Sequence, residues 1–220
     1  MTTKAKASVR HIVPDTWGCG LAVGHGAGLL AVALALSAAG SAHADTAPSE
    51  DQVRVTEQPA TGQPGKTFTA VTLIAAPVAK LCGIVQDYPS YASYMPNTKS
   101  ALPVGAGEGY VLVDMNLDLP LGQEKKYRLR LDADASGNQC KLSWKLIPRP
   151  DLKQSDTIAD TTGYWLFRPA AGAAEKSVVE YHVYADPGPV PFGFGWIVDL
   201  MSKRSLPRTL EALRGRAAAM

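Results

Sequence analysis

From Gly109 to Ile147 apolar and polar residues alternate with a period of two, and nothing else in the chain constrains its fold as strongly. In Gly109–Leu119, Val111, Val113, Met115 and Leu117 share one face, while Leu112, Asp114, Asn116 and Asp118 share the other. In Glu124–Asp134, Tyr127, Leu129, Leu131 and Ala133 oppose Lys126, Arg128, Arg130 and Asp132. In Gln139–Ile147, Cys140, Leu142, Trp144 and Leu146 oppose Lys141, Ser143 and Lys145. Alternation of this kind predicts an antiparallel sheet with one wet face, so the other face needs an apolar cover.

The cover is predicted at the two ends of the domain. Thr67–Ala75 alternates and is β-branched, as in a strand, and Pro77–Asp87 follows with Val78, Leu81, Cys82 and Val85 at helical spacing. A short helix or turn over Tyr91–Met95 stops at Pro96. Strands over Thr157–Arg168 and Lys176–Asp186, joined by a hairpin at PAAGAAE, close the run of about six strands. A last helix is expected from about Gly195 to Arg214, bent or restarted at Pro207. Gly105-Ala-Gly107-Glu-Gly109 reads as a turn between strands, because its glycines are not spaced for a phosphate loop.

Residues 1–44 carry the pattern of a secretory signal: Lys4, Lys6, Arg10 and His11, an apolar run over 27–39, and Ala42-His43-Ala44 before the cut. The expected mature protein is exported to the periplasm or secreted, with no membrane anchor. Loss of Lys4, Lys6, Arg10 and Asp15 lowers Lys+Arg from 22 to 19 and Asp+Glu from 20 to 19, leaving a nearly neutral chain. Neutrality argues against a nucleic-acid partner, which requires clustered positive charge. Asp45 to about Gly65 reads as a flexible leader, and the folded domain is expected over about 66–216.

The parts for metal or nucleophile chemistry are few. His182 is the one histidine of the mature chain, and alternation puts it on the wet face with Glu180 and Tyr184. Cys82, Cys140 and His182 are too far apart in sequence to form a short-spaced metal motif, and no GxSxG, HExxH or CxxC occurs. No cofactor is expected. Cys82 and Cys140 lie on apolar faces; two buried thiols are the first reading and a disulfide the alternative.

Three segments resemble the START-like (SRPBCC) superfamily: VTLIAAPVAKLCGIVQDYPSYASYMPN (71–97), TIADTTGYWLFRP (157–169) and YHVYADPGPVPFGFGWIVDLMSKRSLPRTLEALR (181–214). The likeness is to its bacterial branch, related to polyketide cyclases and coenzyme Q-binding START-domain proteins. The resemblance implies an α+β helix-grip fold: a curved antiparallel sheet around a long C-terminal helix, with two short helices after the first strand. It further implies a cavity between sheet and helix that holds an apolar molecule. The rim would fall in ADPGPVPFGFGW, where Phe192, Phe194 and Trp196 could close over the guest.

Strand alternation proposes Met95, Met115, Tyr127, Trp144, Trp165, Tyr181 and Val183 for the lining, and the helix adds Trp196, Ile197, Leu200 and Met201. The expected partner is one hydrophobic small molecule, a lipid, sterol or isoprenoid, with transient contact to a membrane surface through the rim aromatics; Lys203, Arg204, Arg208, Arg214 and Arg216 give the last helix a basic side, read first as a solvated face and alternatively as a site for anionic headgroups. A cyclase or aromatase using the same cavity is the enzymatic alternative, and a protein-interaction domain with a filled interior is the third. Oligomeric state is left open.

Overall fold

The alternating segments become strands in the computed structural model, which describes residues 47–59, 62–119, 122–189 and 205–220. In chain order the elements are β1 (Arg54–Glu57), β2 (Lys66–Ile74), α1 (Val78–Gln86), a 3-10 turn (Tyr88–Ser90) and α2 (Tyr91–Tyr94). Then come β3 (Thr98–Gly107), β4 (Tyr110–Leu119), β5 (Gln123–Asp134), β6 (Cys140–Ile147), β7 (Asp160–Ala170), β8 (Ala173–Asp186) and α3 (Ser205–Ala219). The eight strands form one antiparallel sheet ordered β1-β2-β8-β7-β6-β5-β4-β3, so β2 pairs with β8 and joins the two ends of the domain. This is the expected helix-grip arrangement, with helices covering one face of an open, curved sheet.

Four local differences have physical causes. The segment expected to be a leader without regular structure supplies β1, which lengthens the sheet by pairing Arg54 to Val71 and Glu57 to Phe68. Thr72, fully buried, donates its hydroxyl to the backbone oxygens of Ser49 and Gln52, tying the same segment down. Thr98–Gly107, whose proline and glycines suggested no strand, forms β3 on the opposite edge, where Pro103 removes no essential ladder bond. The expected glycine turn narrows to Glu108 and Gly109, between β3 and β4.

The last helix is described over Ser205–Ala219 and continues past Arg214; the part expected from Gly195 to Arg204 lies outside the described residues. Pro207 is the third described residue of this helix, and the segment before Ser205, on which a bend or restart there depends, lies outside the described residues.

Cys82 and Cys140 form a disulfide linking α1 to β6, in place of the two buried thiols. Around it lies the densest part of the core. Ile74, Leu81, Val85, Leu142, Phe167, Val179, Leu210 and Leu213 expose almost nothing. Arg214 was read as part of a solvated basic side, yet its guanidinium donates to Thr72 Oγ1 at 2.8 Å and to the Leu73 carbonyl, docking α3 on β2. Arg216 lies over the Tyr94 ring, Arg208 is exposed, and Lys203 and Arg204 lie outside the described residues.

Candidate functional site

Along the strands, away from the disulfide, the concave face and α3 no longer meet. A cavity of about 200 Å³ opens between them. Its walls come from Tyr88 of the 3-10 turn, Tyr91 of α2, Met95 and Asn97 between α2 and β3, from β4 (Val113, Met115, Leu117), from β5 (Tyr127, Leu129, Leu131), and from Trp144, Trp165, Tyr181 and Val183 on β6, β7 and β8. Leu206 and Thr209 of α3 and Ile158 of the β6–β7 connection complete it.

Sequence spacing explains why these side chains converge. Cross-strand pairing sets Met115 opposite Tyr127, Leu131 opposite Trp144, Leu142 opposite Trp165, and Trp165 opposite Tyr181, so one parity of each strand points inward. Gly163 stands opposite both Trp144 and Val183, and a methyl there would strike the Trp144 indole and the His182 carbonyl. Absence of a side chain lets the indole lie across β7. Trp144 then stacks on Tyr181 at 5.5 Å between ring centres, and Trp165 meets the same ring at 4.1 Å. Trp144 Nε1 donates to Thr161 Oγ1, whose own hydrogen goes to the Tyr184 carbonyl at 2.7 Å.

On the helical wall, Asn97 takes a left-handed conformation (φ 56°), which asparagine tolerates better than most residues, and turns the chain from α2 into β3. Tyr91 and Tyr94 pack edge-on and donate their hydroxyls to the carbonyls of Val85 and Ile84, pinning α2 to the end of α1. Burial pushes the Tyr88 phenol up to about 12 and raises Tyr91, Tyr127 and Tyr181 well above the ordinary tyrosine range. All four stay neutral at physiological pH.

All seven strand- and turn-derived predictions, Met95, Met115, Tyr127, Trp144, Trp165, Tyr181 and Val183, are brought together on this one cavity. Phe192, Phe194, Trp196, Ile197, Leu200 and Met201 lie outside the described residues. Tyr88, Tyr91, Ile158, Thr161, Leu206 and Thr209 were not singled out from the sequence. A signal existed for the tyrosines, which stand three residues apart in DYPSYASY and so share a face of a helical turn. No periodic signal marked Ile158, which sits in a connection.

Lys125 shares the inward parity of Tyr127 and is buried, its ammonium donating to the carbonyls of Ser155 and Thr157 at 2.7 and 2.9 Å. It clamps the β6–β7 connection beside Ile158. None of the described lining residues is Asp, Glu, His, Lys or Arg. Among the described residues no group of three or more His, Cys, Asp or Glu side chains could hold a metal ion, and no helix is long and apolar enough to cross a membrane.

The convex face is the opposite in character. Asp114 accepts from Arg128 (2.6 and 2.9 Å) and from Arg149 (3.0 Å), and Arg149 also holds Asp151. His182 is on this face as expected but is half-buried rather than freely solvated: Nδ1 lies 2.9 Å from Thr69 Oγ1, and the ring stacks on Tyr164 at 5.0 Å. Burial lowers its pKa.

No protein-family model and no curated protein sequence matches this chain. Solved structures do match it. A STAR-related lipid transfer protein from Xanthomonas axonopodis is similar at 18% identity and TM-score 0.64, over 76% of this chain and 93% of that one. Human StAR-related lipid transfer protein 5 is similar at 11% identity and TM-score 0.65, over 79% and 85%. The Zhui aromatase/cyclase from Streptomyces sp. R1128 gives 17% and 0.53, over 76% and 94%. At these identities the likeness shows the fold, the helix-grip fold of START-like proteins, which hosts both lipid carriage and ring-forming chemistry.

Proposed function

We propose that this helix-grip protein is an exported carrier that takes one apolar small molecule into the cavity between its sheet and α3 and shields it from water. The observation that carries the reading is the cavity itself: aromatic and aliphatic walls from both helical and strand elements, with no charged side chain among the described lining. Affinity would come from apolar area removed from water, at about 25 cal/mol per Å². About 200 Å³ holds a ring system or part of a chain, so a lipid, sterol or isoprenoid would be enclosed in part, with the remainder at the rim.

Export is supported by the signal-like first 44 residues and by the Cys82–Cys140 disulfide, a bond that persists in oxidising compartments. Transient contact of the rim with a membrane surface completes the carrier reading. Carriage is favoured over cyclisation, because a cyclase needs a positioned acid and base, the described lining holds no carboxylate, imidazole or ammonium, and burial raises its Tyr127 and Tyr181 phenols.

The test is to express the protein with its first 44 residues, isolate it from the exported fraction without detergent, and identify bound molecules by mass spectrometry. A stoichiometric apolar compound, lost in Trp165→Ala, is the expected result. A protein that carries nothing and binds no apolar probe would overturn the reading.

A further inference from the structure

Tyr127 and Tyr181 differ from three of the other tyrosines of the fold. Tyr91, Tyr94 and Tyr164 each donate their hydroxyl to a protein acceptor: the Val85 carbonyl, the Ile84 carbonyl and the Glu180 carboxylate. Tyr127 and Tyr181 line the cavity, as Tyr88 does on its helical wall, and among the described residues no protein group accepts from the hydroxyls of these three. Tyr127 and Tyr181 stand close enough that ionising one would oppose ionising the other. Among the described residues the fully enclosed side-chain polar atoms without a partner are Asn116 Oδ1 and Arg214 Nε, so the two phenol hydroxyls are open to the cavity and present unused donors to whatever fills it. Both rings are also held in place: Tyr181 lies against Trp165 and Trp144, and Tyr127 stands opposite Met115 on the neighbouring strand.

We infer that the guest is uncharged and carries a neutral oxygen, as in a ketone, ester or alcohol, that accepts hydrogen bonds from Tyr127 and Tyr181. The inference rests on the carrier reading and narrows its ligand class. A carboxylate or phosphate drawn into the same place would lose its hydration and meet no cation among the described lining residues. The two phenols remain protonated donors at neutral pH, since burial raises both.

Three bicyclic probes of nearly equal size separate the possibilities by calorimetric titration of the mature protein at pH 7.5: 2-acetylnaphthalene, 2-ethylnaphthalene and 2-naphthoate. The ketone should bind about tenfold more tightly than the hydrocarbon, corresponding to one or two hydrogen bonds, and the carboxylate at least tenfold more weakly than the ketone. Tyr127→Phe and Tyr181→Phe together should bring the ketone to the level of the hydrocarbon measured on the same variant, and each alone should reduce the ketone's advantage. Equal affinities for ketone and hydrocarbon in the unmodified protein, a ketone advantage that survives both substitutions, or naphthoate binding as tightly as the ketone would each overturn the inference and leave apolar carriage standing. If the hydrocarbon itself does not bind, the carrier reading falls and this inference with it.

Discussion

The two ends of the concave face are made by the same strands and differ in one respect. At the disulfide end, Phe167, Val179, Leu142 and Leu213 expose none of their surface, and helix and sheet interlock. Two residues farther along β7 and β8, Trp165 and Tyr181 turn toward the cavity, with Trp144 alongside on β6. The difference shows that a helix-grip domain can pack one half of the interface tightly and leave a hollow in the other half. Side chains at the first end are aliphatic or interlocked, whereas those at the second are large, planar and edged with hydroxyls, shapes that bound a hollow without collapsing into it.

The comparison breaks or sharpens on four measurements. Phe167→Ala at the packed end should cost about 3–5 kcal/mol and lower the thermal midpoint by roughly 10 °C, with probe affinity retained in the folded protein. Trp165→Ala should cost less stability, because one side of its indole already faces the cavity, while weakening probe binding at least tenfold. Equal stability losses with unchanged binding would erase the distinction.

Removing the disulfide by Cys82→Ser with Cys140→Ser should cost about 2–4 kcal/mol, seen in denaturant unfolding, and again leave probe affinity in place. Gly163→Ala sits at the boundary and should cost about 1–3 kcal/mol while displacing Trp144, so near-ultraviolet dichroism from tryptophan should change along with affinity.

The smallest effect belongs to the convex face. Hydrogen bonding to Arg128, with Arg149 adding charge, holds the Asp114 carboxyl below the usual range, so its contribution is present above about pH 4, its unfolded value, and disappears as pH falls through the lower folded value. Asp114→Asn should therefore destabilise the protein by at most about 1 kcal/mol at pH 7, an effect that shrinks as pH falls below about 4. Probe binding at neutral pH should not respond, because the network is on the other side of the sheet.

What was legible before any coordinates followed from periodicity. Met115, Tyr127, Trp144, Trp165, Tyr181 and Val183 could be assigned to one side because a strand turns its side chains alternately, whereas Met95, proposed with them, reaches the cavity from the turn after α2 and not from a strand. β1 and β3 escaped the same reading. RVTE is short and polar and gains order only by pairing with β2, while TKSALPVGAG carries breakers that an edge position forgives. Lys125 was invisible for a related reason: its parity pointed inward, but only carbonyls from a distant connection could make burial of an ammonium tolerable.

The sequence by itself determined the class of the fold, six of its eight strands and which side of those six is apolar, since these depend on local spacing and on the preference of neighbouring residues. Tertiary structure alone decided that Cys82 and Cys140 meet, that Arg214 is tied to β2 rather than to water, and that the helix closes against one half of the sheet and stands off the other. Those outcomes are distances between residues far apart in the chain, set by sheet curvature and by the bulk of the side chains between two surfaces, and a one-dimensional pattern contains no term for either.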